Sequence, residues 1–139
     1  MATSLVAPDS SVLIAGFAPE HPFHGAVKAP LRKARTNGRL IAHTMAETYS
    51  VLTGQAYGHP PGEVLGYLKQ FLGRPAIGLS TSSYFKILGE LASAEILGGA
   101  IYDGLIAATA AQADIRLLSL DRRAARTYAT LKADYEILI

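Results

Sequence analysis

The 139-residue chain contains no cysteine and no tryptophan. Without thiols it can hold neither a disulfide framework nor a thiolate metal site, and this composition is in keeping with a reducing cytoplasm. It also lacks any apolar run near the roughly 18 residues that a membrane span requires. The opening MATSLVAPD has no basic stretch before its apolar residues, and Asp9 ends the run, so it does not read as a signal peptide. Acids are scarce, five Asp and six Glu, so the position of each one is informative.

What remains is the composition of a globular protein: 50% of the residues are hydrophobic and only 17% charged. Residues 1–139 read as one domain, long enough to bury one core. The formal net charge of +2 permits a polyanionic partner without requiring one. Lys28, Arg32, Lys33, Arg35 and Arg39 form one basic segment, and Arg116, Arg122, Arg123, Arg126 and Lys132 a second. Each reads equally as a solvated helix face or as a surface for phosphates.

Strand and helix signals alternate along the whole chain. Leu5 to Pro8 is a short apolar strand, and DSSVLIAGF turns helical with Asp9 or Ser10 as N-cap. An amphipathic helix over His24 to Arg35 stops at Asn37-Gly38. Arg39 to His43 reads as a buried strand, and Thr44 as the cap of a helix with Glu47 in capping-box spacing. Pro60-Pro61 opens a helix, Ala76 to Leu79 suits a short strand, and Ser80 to Ser83 caps a helix through Leu91. YDGLIAATAAQ is a helix of small residues, whose alanines and Gly104 would let it press against a sheet. Asp114 to Leu120 is a strand, DRRAARTYATL a helix and YEILI a last strand. The pattern predicts an α/β fold in three layers, helices covering both faces of a mainly parallel sheet.

In such sheets the functional crevice lies outside the carboxyl ends of the strands. Asp9 directly follows the first strand, and Asp121 follows the strand LLSL. Glu47 falls in the first turn of the helix after RLIAH, and Asp103 near the start of the helix that feeds the strand ending at Asp121. Four carboxylates at one edge repel one another unless a counter-charge is supplied. A hard divalent cation, Mg²⁺ or Mn²⁺, suits oxygen-only ligands, whereas the lack of cysteine and of a histidine pair points away from zinc. Each acid also has a structural alternative. Asp9 and Asp121 fit as helix caps, Glu47 as the capping-box partner of Thr44, and Asp103 as a residue on the one wet edge of its helix. Ser10 and Ser119 are placed to hold a carboxylate or a metal-bound water, or to serve as turn residues. His43, nearest the crevice among four histidines, reads as a structural histidine, and Tyr102, Tyr128 and Phe85 read as core or rim in preference to base-stacking platforms.

The residues Asp9 to Ser11 (D-S-S), Glu47 within HTMAETYSVL, and the segment IYDGLIAATAAQADIRLLSLDRRAARTY together resemble the PIN-domain family. More narrowly they resemble the VapC-type ribonuclease toxins of type II toxin–antitoxin pairs. The last segment is the most specific, and residues 54 to 95 add little beyond being helical. The resemblance implies a PIN-like fold and Mg²⁺- or Mn²⁺-dependent cleavage of RNA. It implies Asp9, Glu47, Asp103 and Asp121 as the acidic cluster, with Asp9, Asp103 and Asp121 on the metal directly or through water and Glu47 binding or orienting a second metal or the attacking water. Ser119 keeps a hydroxyl where threonine is common in the family. Arg122, Arg123, Lys28 and Arg32 would then face the RNA backbone. A homodimer and a VapB-type antitoxin, whose C-terminal segment fills the active-site groove, are further implications.

Other phosphoryl-transfer domains fit less well. A haloacid-dehalogenase pattern wants a second acid where Ser11 stands, and a receiver domain wants an acidic pair at the first strand. The alternative from another class is a PIN-like module that binds RNA or protein without cutting; retention of all four acids counts against it.

Overall fold

The computed structural model describes residues 5–139. Residues 1–4, on which part of the signal-peptide argument rests, lie outside the described residues. Three strands and seven helices follow in the order β1 (Val6–Pro8), α1 (Ser10–Phe17), α2 (His24–Asn37), α3 (Ala42–Thr53), α4 (Pro61–Lys69), α5 (Thr81–Ser93), α6 (Ala100–Ala113), β2 (Arg116–Ser119), α7 (Arg122–Thr130) and β3 (Tyr135–Ile137). The caps follow local chemistry. Asp9 accepts from the Val12 amide at the start of α1, Ser80 from the Ser83 amide at α5, and Asp121 from two amides at α7. Pro61 stands in the first turn of α4, where its missing N–H costs nothing.

The strands are parallel in the order β1-β2-β3, with Ala7 opposite Leu117 and Leu117 opposite Tyr135. Beyond β1 the sheet continues, among the described residues, as single bridges, Val6 with Gly38 and Ile41 with Ile77. The strand expected over Arg39 to His43 is therefore cut short, because Ala42 and His43 already belong to α3. What persists is backbone pairing: the Arg39 amide donates to Val6 at 3.0 Å and the Ile77 amide to Leu40 at 2.9 Å. The expected strand over Ala76 to Leu79 likewise shrinks to the bridge at Ile77. Gly38 makes the first of these approaches possible. A Cβ there would lie 2.5 Å from the Ala34 carbonyl oxygen and 2.8 Å from that of Val6.

Alternation along the strands divides the core. Leu118 faces a layer built by α1, α2, α3 and α4, including Leu13, Leu31, Leu52, Val64 and Phe71. Ala7 and Leu117 face the opposite layer, with Ile106, Ala107 and Ala110 of α6 and Ala124 and Tyr128 of α7. Each fully buried Leu, Ile, Val or Phe among these contributes roughly 1.5–3 kcal/mol, enough in sum to hold three layers together. The alanines of α6 do press on the sheet, but Gly104 does not. It faces α5, where a Cβ would meet Leu91 Cδ2 at 2.4 Å. Among the described residues, no helix is long and apolar enough to cross a membrane.

Candidate active site

The fold brings the carboxyl ends of β1 and β2 to one edge. Asp9 follows β1, with its amide bonded to Leu118 at 2.9 Å, and Asp121 lies two residues beyond β2. Asp103 sits in the first turn of α6. Glu47 comes from α3, but not as a capping-box residue. The helix begins at Ala42 with Ile41 in the cap position and no side-chain cap bond. Thr44 is instead inside the helix and fully buried, and its hydroxyl has no hydrogen-bond partner among the described residues. The structural alternative for Glu47 thus falls away.

Asp9 is 3% exposed, and its carboxylate is held from both sides. Oδ1 accepts from the Ser11 hydroxyl and the Val12 amide, and Oδ2 accepts from the Tyr128 hydroxyl at 2.8 Å. Ser11 Oγ also accepts from the Leu120 amide at 2.9 Å, which ties α1 to the end of β2. Ser119 Oγ accepts from the Asp121 amide at 3.0 Å. Asp121 Oδ1 accepts from the amides of Arg123 and Ala124 at 2.9 and 3.3 Å. The Ser10 hydroxyl donates to Oε1 of Glu47. Of the two adjacent serines, therefore, Ser10 serves Glu47 and Ser11 serves Asp9. Sequence reasoning placed neither Ser11 nor Tyr128 at the site. A signal for Tyr128 existed: it lies seven residues, two helical turns, beyond Asp121, on a face shared with the buried Ala124.

Asp103 differs from its neighbours in having no hydrogen-bond or ion-pair partner among the described residues. Burial pushes its carboxyl up to about 6, and the negative charges of Glu47, Asp121 and Asp9 push in the same direction. Burial also raises Asp9, against hydrogen bonds from Ser11, Ser119, Tyr128 and the Val12 amide that favour its charged form. Tyr128 is held protonated by burial and by the charge of Asp9. All four predicted acids thus share one electrostatic environment. Among the described residues no lysine or arginine pairs with any of them. The ion pairs present join Arg116 to Asp134 at 2.9 Å and to Glu136 at 3.9 Å, far out on the surface.

No three His, Asp or Glu side chains among the described residues close into a metal cage. What they present is uncompensated charge on oxygen donors, with Asp103 free to ligate. That donor chemistry fits a hard divalent cation.

The predicted cationic residues separate into two groups. Arg122 and Arg123 line a groove of about 640 Å³ together with Asp121, Ser11, Phe23 and Tyr57. Lys28 and Arg32 line a different groove of about 380 Å³ with His24 and Arg35, and it contains none of the four acids. His43, one helical turn before Glu47, stacks on Tyr102 with ring centroids 5.1 Å apart and planes 13° from parallel.

Residues 6–129 match the PIN domain family. The chain is 39% identical over 136 residues to Ribonuclease VapC40 of Mycobacterium tuberculosis, covering 96% of this chain and 99% of that protein. Ribonuclease VapC27 of the same species is 36% identical over 125 residues, covering 88% and 89%. Among solved structures, FitAB bound to an IR36 DNA fragment superposes with a TM-score of 0.72 at 19% identity, covering 96% of this chain and 95% of that one. FitAcB from Neisseria gonorrhoeae gives 0.71 at 20% identity, covering 96% and 98%. These two show the fold. Family match, relatives and fold agree over nearly the whole length, and the chain belongs to the PIN domain family, in its VapC-type branch.

Proposed function

We propose that the protein is a metal-dependent endoribonuclease, the toxin of a toxin–antitoxin pair, acting as one PIN-like domain over residues 1–139. The observation that carries the catalytic reading is Asp103. It is a half-buried carboxyl raised to about 6 by burial and by three neighbouring acids, with no lysine or arginine paired to it among the described residues. Ribonuclease relatives at 39% and 36% identity support the substrate class.

Asp9, Asp103 and Asp121 would hold Mg²⁺ or Mn²⁺. Such an ion, when bound, polarises a phosphoryl oxygen and lowers the pKa of water. The chain's own residues do the positioning. Ser11, Val12 and Tyr128 fix both oxygens of Asp9, and the amides of Arg123 and Ala124 fix Asp121. Ser10 holds Glu47, which orients the attacking water. Arg122 and Arg123, beside Asp121, face phosphates next to the one being cut, while Lys28 and Arg32 would contact a more distant stretch of backbone. The cognate partner is a VapB-type antitoxin, the working form a homodimer and the compartment the cytoplasm.

The direct test is cleavage of total RNA in Mg²⁺ by wild type, Asp9→Asn and Asp103→Asn. Loss of cutting in the folded variants is expected; undiminished cutting by both overturns the reading. Absence of Mg²⁺ binding in calorimetry would favour the non-cleaving module instead.

A further inference from the structure

Tyr102 precedes the free acid Asp103, and it is 47% exposed. One of its faces lies on the His43 ring, nearly parallel to it. His43 and Glu47 are four residues apart on α3 and so share a face of that helix. Two interactions therefore cross from α3 to α6, one a ring contact and one electrostatic. One joins the rings of His43 and Tyr102, and the other sets the charge of Glu47 against Asp103. Exposure alone is not the point: Phe85 is 83% exposed but has no ring beside it among the described residues. Tyr102 is an exposed ring whose plane is fixed in advance, at the edge of the acidic cluster.

We propose that the Tyr102–His43 pair is a stacking platform for one unpaired nucleobase of the RNA, adjacent to the phosphate at the acids. Aromatic platforms of this kind bind any base through its π-face. In a duplex both faces of a base are covered, so the platform selects single-stranded or looped RNA. The inference rests on the ribonuclease reading for its substrate. Tyr102 adjoins Asp103 on α6, so a nucleotide whose phosphate sits at the acids brings a neighbouring base to the free face of the ring, and a side chain of a protein partner is the occupant that the test separates from it.

The test uses the full chain and a short single-stranded RNA of mixed sequence, with its fully paired duplex as control. Binding is read by fluorescence anisotropy with calcium in place of magnesium to suppress cutting. Tyr102→Ala should weaken single-strand binding about 5- to 100-fold, whereas Tyr102→Phe and Tyr102→Trp retain it. An abasic nucleotide scanned along the RNA should cost wild type a similar factor at one position and cost Tyr102→Ala nothing further. Unchanged binding by Tyr102→Ala, or an abasic penalty equal in both proteins, overturns the platform. So does a Tyr102→Ala protein that cuts RNA normally but escapes its inhibitory protein partner, which would assign the ring to that partner. If wild type cuts no RNA with any divalent ion yet the abasic dependence holds, the platform stands and the ribonuclease reading fails. If Asp103→Asn abolishes cutting while Tyr102 is indifferent, the reverse is true.

Discussion

The hydroxyl of Tyr128 donates to Oδ2 of Asp9 at 2.8 Å across 119 residues of chain. Both groups are buried, Tyr128 at 1% exposure and Asp9 at 3%. The bond links α7 to the end of β1 and satisfies one oxygen of an almost wholly buried carboxylate. Tyr128→Phe keeps the ring in its packing but leaves Oδ2 without that donor. Leaving a buried acceptor unpaired costs about 1–3 kcal/mol, so urea denaturation should show a loss in that range. Cleavage should fall as well, through a less well-held Asp9. An unchanged denaturation midpoint would mean that the hydroxyl contributes nothing to the fold.

Much of this site was legible because acids at strand ends are few in this chain. Asp9 and Asp121 were found as caps, and the structure shows that capping and membership of the acidic cluster coexist in the same side chains. The α3 boundary was less legible. RLIAH is an apolar run that suits a strand as well as a helix start, and tertiary pairing at Leu40 and Ile41 decides where one ends. The sequence pointed to Ser10 and not to Ser11, because which carboxylate each hydroxyl meets depends on how α1 turns it. Tyr128 was hidden because its ring is core and only its tip is polar.

Asp103→Asn separates charge repulsion from ligation. A carboxyl raised to about 6 in the folded chain, against about 3.9 unfolded, adds stability below the unfolded value. That contribution is lost as pH rises through 6. The metal-free wild type is therefore penalised at neutral pH, and Asp103→Asn is not. The variant should gain about 1 kcal/mol near pH 7.5, less than the full shift implies because the group is half-exposed and screened by solvent. The gain should vanish below about pH 3, where the wild-type carboxyl is protonated in both states. Adding Mg²⁺ should reverse the order, stabilising wild type only. Thermal melts across pH with and without Mg²⁺ check each part, and a variant no more stable at neutral pH would remove the repulsion argument.

Asp121 combines a cap with a place among the acids, and two substitutions divide these roles. Asparagine caps helices nearly as well as aspartate, whereas alanine costs about 1 kcal/mol. Asp121→Asn should match wild type in denaturation, and Asp121→Ala should lose about 1 kcal/mol. Both should lose Mg²⁺ affinity and RNA cleavage to a similar extent. If Asp121→Asn cuts RNA like wild type, Asp121 is a cap alone.

The two serines after Asp9 make the same kind of contrast through different partners. Ser11 satisfies the Leu120 amide and Oδ1 of Asp9, so Ser11→Ala removes a partner from two groups at the junction of α1 and β2. A stability loss of about 1–3 kcal/mol is expected for it. Among the described residues the Ser10 hydroxyl bonds only to Glu47, and both side chains are partly open to solvent, where water can replace the hydroxyl. Ser10→Ala should therefore keep wild-type stability while lowering kcat about tenfold, because Glu47 loses its orientation rather than its charge. KM should barely move. A Ser10→Ala enzyme with wild-type kcat would show that Glu47 needs no help in aiming water, and a destabilised one would place Ser10 in the fold rather than in the chemistry.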